Sequence, residues 1–258
     1  MLAATIIALR RTAETPADAE ANRRLVASFL AAIERDSQAR EPTTRSLINR
    51  VAALAELGEL DSADGYYALG LGLRFEGRPA QAVEAFRKAI LLKPDWGRPH
   101  NSLGVVLYRL GRANEAEASF RRAIELDPES SRAHNDLAVL LRLEGRLDEA
   151  QPEALRAVEL GPDDLAANNN YGNMLVALGR YDEAEKYYQT ASALDPDHPA
   201  PHYNLACLAS LRGRHEEAFS FLARAIRLDS AFCEEARKDP HLAPLRDHPR
   251  FKELVGSP

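Results

Sequence analysis

Apolar residues recur at helical spacing through most of this chain. Leu25, Val26, Phe29, Leu30 and Ile33 fall on one stripe of a predicted helix. That helix starts at Thr15-Pro16-Ala17-Asp18, where a threonine cap, a proline in the first turn and an acid follow one another. Arg40–Thr44 interrupts the stripe around Pro42. Leu47, Ile48, Val51 and Leu54 then mark a second helix that stops at Gly58. Beyond it the pattern acquires a longer period. Gly97–Ser130 returns 34 residues later as Ser131–Asp164 and again as Leu165–His198, with Ala63–Trp96 before and Pro199–Phe232 after. These five units cover 170 of 258 residues, so a stacked repeat array organises the chain.

Each unit reads as two helices joined by a tight turn. Small residues recur at position eight (Gly70, Gly104, Ala138, Gly172, Ala206), position twenty (Ala82, Ala116, Ala150, Ala184, Ala218) and position twenty-seven (Ala89, Ala123, Ala157, Ala191, Ala225). Antiparallel helices cross closely only where side chains are small. Larger residues fill the rest: Leu69, Leu103, Leu137, Tyr171 and Leu205 at position seven, and Phe86, Phe120 and Tyr188 at position twenty-four. A Gly-Arg pair marks every turn, at Gly77, Gly111, Gly145, Gly179 and Gly213, because glycine takes the positive φ that ends a helix. Asn114, Asp148 and Asp182 follow, placed to cap the second helix and face its dipole. Pro94, Pro128, Pro162 and Pro196 stop that helix. The third unit departs: Pro152 lies inside its second helix and Ala154 replaces the aromatic, which predicts the loosest packing there. In the last unit Ser230 replaces the closing proline.

The small triad, the aromatic at twenty-four and the proline at thirty-two, in uninterrupted register, resemble the tetratricopeptide repeat family. The resemblance implies an all-α fold, a right-handed superhelical solenoid of helix-turn-helix repeats. It divides the chain into an amino-terminal cap of two or three helices (1–62), five repeats (63–96, 97–130, 131–164, 165–198, 199–232) and carboxy-terminal capping helices (233–258). Leu57–Tyr67 mimics Leu178–Tyr188, which would make residues 62–76 a second helix, but Gly70, Ala82 and Pro94 fix the register that makes them a first. The phrase KDPHLAPLRDHPRFKEL is similar to the closing tail of many bacterial tetratricopeptide proteins. It is expected to cover the last repeat, since an array leaves apolar faces at its ends.

Composition narrows the function classes. A net charge of −6 and a pI of about 5.7 give no basic stripe for nucleic acid. Cys207 and Cys233 have no CxxC or zinc spacing and read as free thiols of a reducing compartment. Met1–Leu9 is too short to span a membrane, and Arg10-Arg11 follow it where a signal peptide has its charges in front. Cytoplasm is the default location. No phosphate loop, zincin motif or paired nucleophile and base is present: Gly70-Leu71-Gly72 lies within a helix, and His215-Glu216-Glu217 lacks a second histidine. Glu115, Glu117, Glu183 and Glu185 read as solvated faces. His100, His134 and His202 share position four, but equivalent helices stand too far apart for stacked histidines to meet one ion, so packing is their expected role. The expectation is no enzyme, no cofactor and no metal.

By resemblance the first helices line the concave side, and helical spacing turns positions two, five, six, nine and twelve the same way. The candidate groove residues are Tyr67, Leu71, Arg74, Arg98, Asn101, Tyr108, Arg132, Asn135, Arg142, Asn169, Asn170, Asn173, Tyr203 and Asn204. Asparagine amides offer donors and an acceptor to a peptide backbone, arginines suit carboxylates, and tyrosines suit stacking. Positions two, five and nine hold no lysine, unlike the family's clamp for chaperone tails, and the asparagine row is more similar to that of the O-linked sugar transferase superhelix. The predicted partner is a protein bound through an extended, partly acidic peptide or tail. The alternative is a self-associating scaffold that pairs through the ends of the array.

Overall fold

A computed structural model of the protein describes residues 16–35, 50–51, 54 and 62–256, and every regular element among them is helical. The segments expected at Met1–Leu9 and around Leu47-Ile48 lie outside the described residues. The chain divides into two compact units, Met1–Pro128 and Glu129–Pro258. The first holds α1 (Pro16–Arg35), α2 (Ala63–Phe75), α3 (Pro79–Leu92), α4 (Gly97–Arg109) and α5 (Ala113–Leu126). The second holds α6 (Ser131–Leu143), α7 (Leu147–Leu160), α8 (Leu165–Ala177), α9 (Tyr181–Leu194), α10 (Pro199–Leu211) and α11 (His215–Leu228). It closes with α12 (Phe232–Lys238), a 3₁₀ turn (Pro240–Leu245) and α13 (Pro249–Val255).

The 34-residue period is a structural period. Every first helix has 13 residues and every second helix has 14. The turns repeat bond for bond. Arg78, Arg112, Arg146 and Arg180 donate their backbone N–H to the carbonyls of Leu73, Leu107, Leu141 and Leu175, and Arg214 donates to Ala209. The glycine before each arginine sits at φ between 71° and 77° and donates three residues back. Together these make the paired closure of a Schellman motif. A Cβ on any of these five glycines would meet nothing within 4 Å, so backbone conformation alone demands glycine there.

The glycines at position eight have a different reason. A Cβ on Gly104 would lie 2.6 Å from Phe120 Cε1, and one on Gly172 would lie 2.5 Å from Tyr188 Cε1. Gly70 meets Phe86 in the same way. The aromatic of the second helix therefore lies flush on the backbone of the first. Where position eight is alanine the aromatic is gone: Ala138 stands with Ala154, and Ala206 with Leu222, all four buried. Pro152 sits inside an unbroken α7.

The starts of the second helices differ from expectation. Their N-caps are arginines without a side-chain capping bond, and Asp148 and Asp182 lie within the first turn, where they serve the dipole. The arginines reach forward instead. Arg112 grips Glu115 through two 2.6 Å bonds, and Arg146 and Arg180 grip Glu149 and Glu183 through pairs at 2.7 Å. Both members of each pair are exposed or half-exposed, so these clips define geometry more than stability.

Each unit has apolar flanking structure. Leu25, Val26 and Phe29 of α1 are buried, and α1 packs on α2. In the second unit Leu242, Leu245, Phe251 and Val255 close over Phe219, Leu222 and Ala206 in one core. The carboxy-terminal segment thus covers the last repeat.

A candidate peptide-binding face

Position five of the first helices holds asparagine or tyrosine. In the second unit they form a ladder. Asn170 Nδ2 donates to Asn135 Oδ1 at 2.9 Å, and Asn204 Nδ2 donates to Asn169 Oδ1 at 2.8 Å. Both rungs join residues 35 apart, from position five to position six of the next repeat. The last rung ends on the cap: Tyr203 Oη donates to Asp239 Oδ2 at 3.0 Å. In the first unit the equivalent rung is Ser102 Oγ to Tyr67 Oη at 3.4 Å.

These contacts correct the roles expected of several residues. The amides hold one another, so each meets a ligand with only its remaining donors and lone pairs. Asn101, Asn135 and Asn169 are buried, and Asn170, Asn173 and Asn204 are half-buried. Asn173 Oδ1 accepts from Tyr188 Oη at 2.8 Å. Tyr67 and Tyr203 were expected to stack on a ligand but are core residues. Tyr67 packs on Trp96 at 4.8 Å between centroids and Tyr203 on Phe232 at 4.7 Å. Leu71 is likewise buried. Tyr108 is exposed, as are Arg98 and Arg132. Arg74 lies over its neighbour Phe75 at 4.9 Å, and Arg142 is half-buried.

Within the second unit a cavity of about 380 Å³ gathers four of the predicted residues: Arg142 from α6, Asn173 from α8, and Tyr203 and Asn204 from α10. Tyr181, Cys207, Glu235, Asp239 and His241 add to its polar lining. Three of these belong to the carboxy-terminal segment, which has no repeat register to reveal them. The wall is mixed in charge. Burial, then the neighbouring Asp239 carboxylate, pushes the Glu235 carboxyl upward. Burial, followed by the same carboxylate, raises the Cys207 thiol well above its usual range, so it stays protonated. Cys207, Asp239 and His241 bring a sulfur, an oxygen and a nitrogen within 4.8 Å of one another.

The position-four residues are taken up locally. His202 Nε2 bonds the Pro196 carbonyl at 2.9 Å, and Asn168 Nδ2 donates to the Pro162 carbonyl at 2.8 Å. Each of these two ties its helix to the loop that ended the preceding repeat, and His100 holds the same position beside the Pro94 carbonyl. His134 Nδ1 meets Glu153 Oε2 at 2.5 Å. The glutamates read as solvated are also paired: Glu115 and Glu183, both about half exposed, in the clips above, Glu117 with Arg121, and Glu185 with Arg212 and Arg214.

Comparison with known proteins supports this architecture. One tetratricopeptide repeat model matches residues 67–126 and 101–164, and another matches 163–231. The curated proteins contain no match. Among solved structures, PilF of Pseudomonas aeruginosa is 20% identical, with 88% of this chain and 97% of that chain aligned at a TM-score of 0.64. TTC0263, a thermophilic TPR protein of Thermus thermophilus, is 23% identical over 71% of this chain and 99% of its own, at 0.59. YrrB, described as a TPR protein with an unusual peptide-binding site, is 22% identical over 82% of this chain and 98% of its own, at 0.51. Likeness at these identities establishes the fold alone.

Proposed function

The chain belongs to the tetratricopeptide repeat family, a fold of protein-interaction scaffolds, and from that premise we propose that it is a non-catalytic adaptor holding an extended, partly acidic peptide segment on the face of its first helices. One observation carries this reading: Arg142, Asn173 and Asn204, from three successive first helices, line a single cavity of about 380 Å³. A guanidinium beside two amides suits a carboxylate next to a peptide backbone. The ladder fixes the position of Asn204 before any ligand arrives, which lowers the ordering cost of binding. Glu235 and Asp239 in the same wall favour a basic or neutral group beside the acid, so a mixed-charge segment fits better than a run of acids. Exposed Arg132, Arg98 and Tyr108 offer further contacts along the first helices of each unit. YrrB, similar in fold, is a precedent for a peptide-binding site on such repeats.

The test uses random peptides displayed on phage and selected against the intact protein, followed by calorimetry of the winners. Enrichment of Asp and Glu is expected. Arg142→Ala should weaken binding about tenfold or more, from hydrogen bonds to charged groups worth roughly 1.5–3 kcal/mol. Separately, the double change Asn135→Ala with Asn169→Ala, which removes the acceptors that hold Asn170 and Asn204, should weaken it as well. Selected peptides that bind all variants equally would place the ligand elsewhere.

A further inference from the structure

Asp239 and His241 flank Pro240 at the start of the 3₁₀ turn, and Cys207 approaches them from α10. Cys207 Sγ lies 3.4 Å from Asp239 Oδ2, and His241 Nδ1 lies 3.1 Å from Asp239 Oδ1. We propose that Cys207, Asp239 and His241 form a site for one divalent ion of the zinc class in the wall of the cavity.

The donor spacing fits. Zinc lies about 2.3 Å from a thiolate and about 2.0–2.2 Å from imidazole or carboxylate, so tetrahedral ligands stand roughly 3.3–3.8 Å apart. With Asp239 Oδ2 as the oxygen, its separation from Cys207 Sγ is already in that range, and the cluster offers one atom from each residue within 4.8 Å of the others. The edges to His241 close by rotation of its ring, whose side chain is 46% exposed and already reaches the Asp239 carboxylate. Sulfur, nitrogen and oxygen together suit zinc or cobalt, whereas calcium and magnesium ask for oxygen alone. Charge balances as well. The ion displaces the Cys207 thiol proton to solvent, and thiolate, carboxylate and neutral imidazole then offset its two charges.

Outer contacts hold the ligands in place. Tyr203 Oη donates to Asp239 Oδ2 at 3.0 Å, Ser210 Oγ donates to the His241 carbonyl at 2.7 Å, and Arg246 donates to the Asp239 carbonyl at 2.9 Å. Such contacts orient first ligands and conserve affinity. All three ligands line the cavity, which leaves a fourth position for water or for a donor from a bound molecule. The ion would also pin the carboxy-terminal segment to α10, since Cys207 and Asp239 are 32 residues apart.

Cobalt chloride titrated into the intact, reduced protein tests the site. Expected is a thiolate-to-cobalt charge-transfer band with tetrahedral d–d bands, saturating at one equivalent and reversed by zinc chloride. Cys207→Ser should abolish the charge-transfer band and Cys233→Ser should keep it. His241→Ala, a change at an exposed side chain, should lower cobalt affinity by at least about tenfold. A wild-type protein without the band, a band that survives Cys207→Ser, or unchanged affinity in His241→Ala would overturn the site and leave a hydrogen-bonded cluster only. Metal-free melting curves of the variants confirm that they are folded.

Discussion

At the scale of single residues, the pairing of position eight with position twenty-four decides how each hairpin crosses. Gly104→Ala forces a methyl against the Phe120 ring at 2.6 Å and should cost about 1–3 kcal/mol in urea unfolding. Adding Phe120→Leu, which reproduces the Ala206 and Leu222 pair of the last repeat, should recover part of that loss. A strictly additive double mutant would refute the contact. His100 carries a second prediction. Burial, assisted by the Arg122 charge and opposed by the Pro94 carbonyl, depresses its pKa. The folded state therefore binds its proton more weakly than the unfolded chain. Its contribution is complete above about pH 6.5 and is lost as pH falls through the folded pKa. His100→Asn, the residue that Asn168 supplies at this position, should flatten the stability difference between pH 7.5 and 5.5. The sequence showed that these positions are special, because the glycines and alanines recur in register. It did not show that the glycine answers one particular ring, since that needs the distance across the hairpin.

At the scale of elements, helix and turn boundaries were legible because Gly-Arg and proline punctuate each repeat and each acts through the local backbone alone. The contacts between elements were not. Asparagines at positions five and six were visible as a row, but their bonds to one another depend on how far one helix rises along its neighbour. The same register buried Tyr67 and Tyr203, which an isolated helical wheel places at the surface. The arginine clips were missed for another reason: Arg and Glu three residues apart are common on any helix. The carboxy-terminal segment has the least legible role. Only folding brings Asp239 and His241 to Cys207, and no spacing within the sequence announces that meeting.

At the scale of the molecule, the two compact units answer to the same repeat rules, and the second ends in a sealed core. Removing residues 233–258 should expose Phe219, Leu222 and Ala206, lower the melting temperature and make the light-scattering mass rise with concentration. An unchanged mass and melting point would mean that the segment covers nothing that matters. The crossing pairs also set the order in which these repeats can diverge. Shrinking the ring first opens a void that a later methyl fills, whereas adding the methyl first meets a clash with nowhere to go. The hairpins of Ala138 with Ala154 and of Ala206 with Leu222 carry the combination that such a path would end on. An ancestor rebuilt midway along such a path should carry glycine opposite a small residue, never alanine opposite an aromatic.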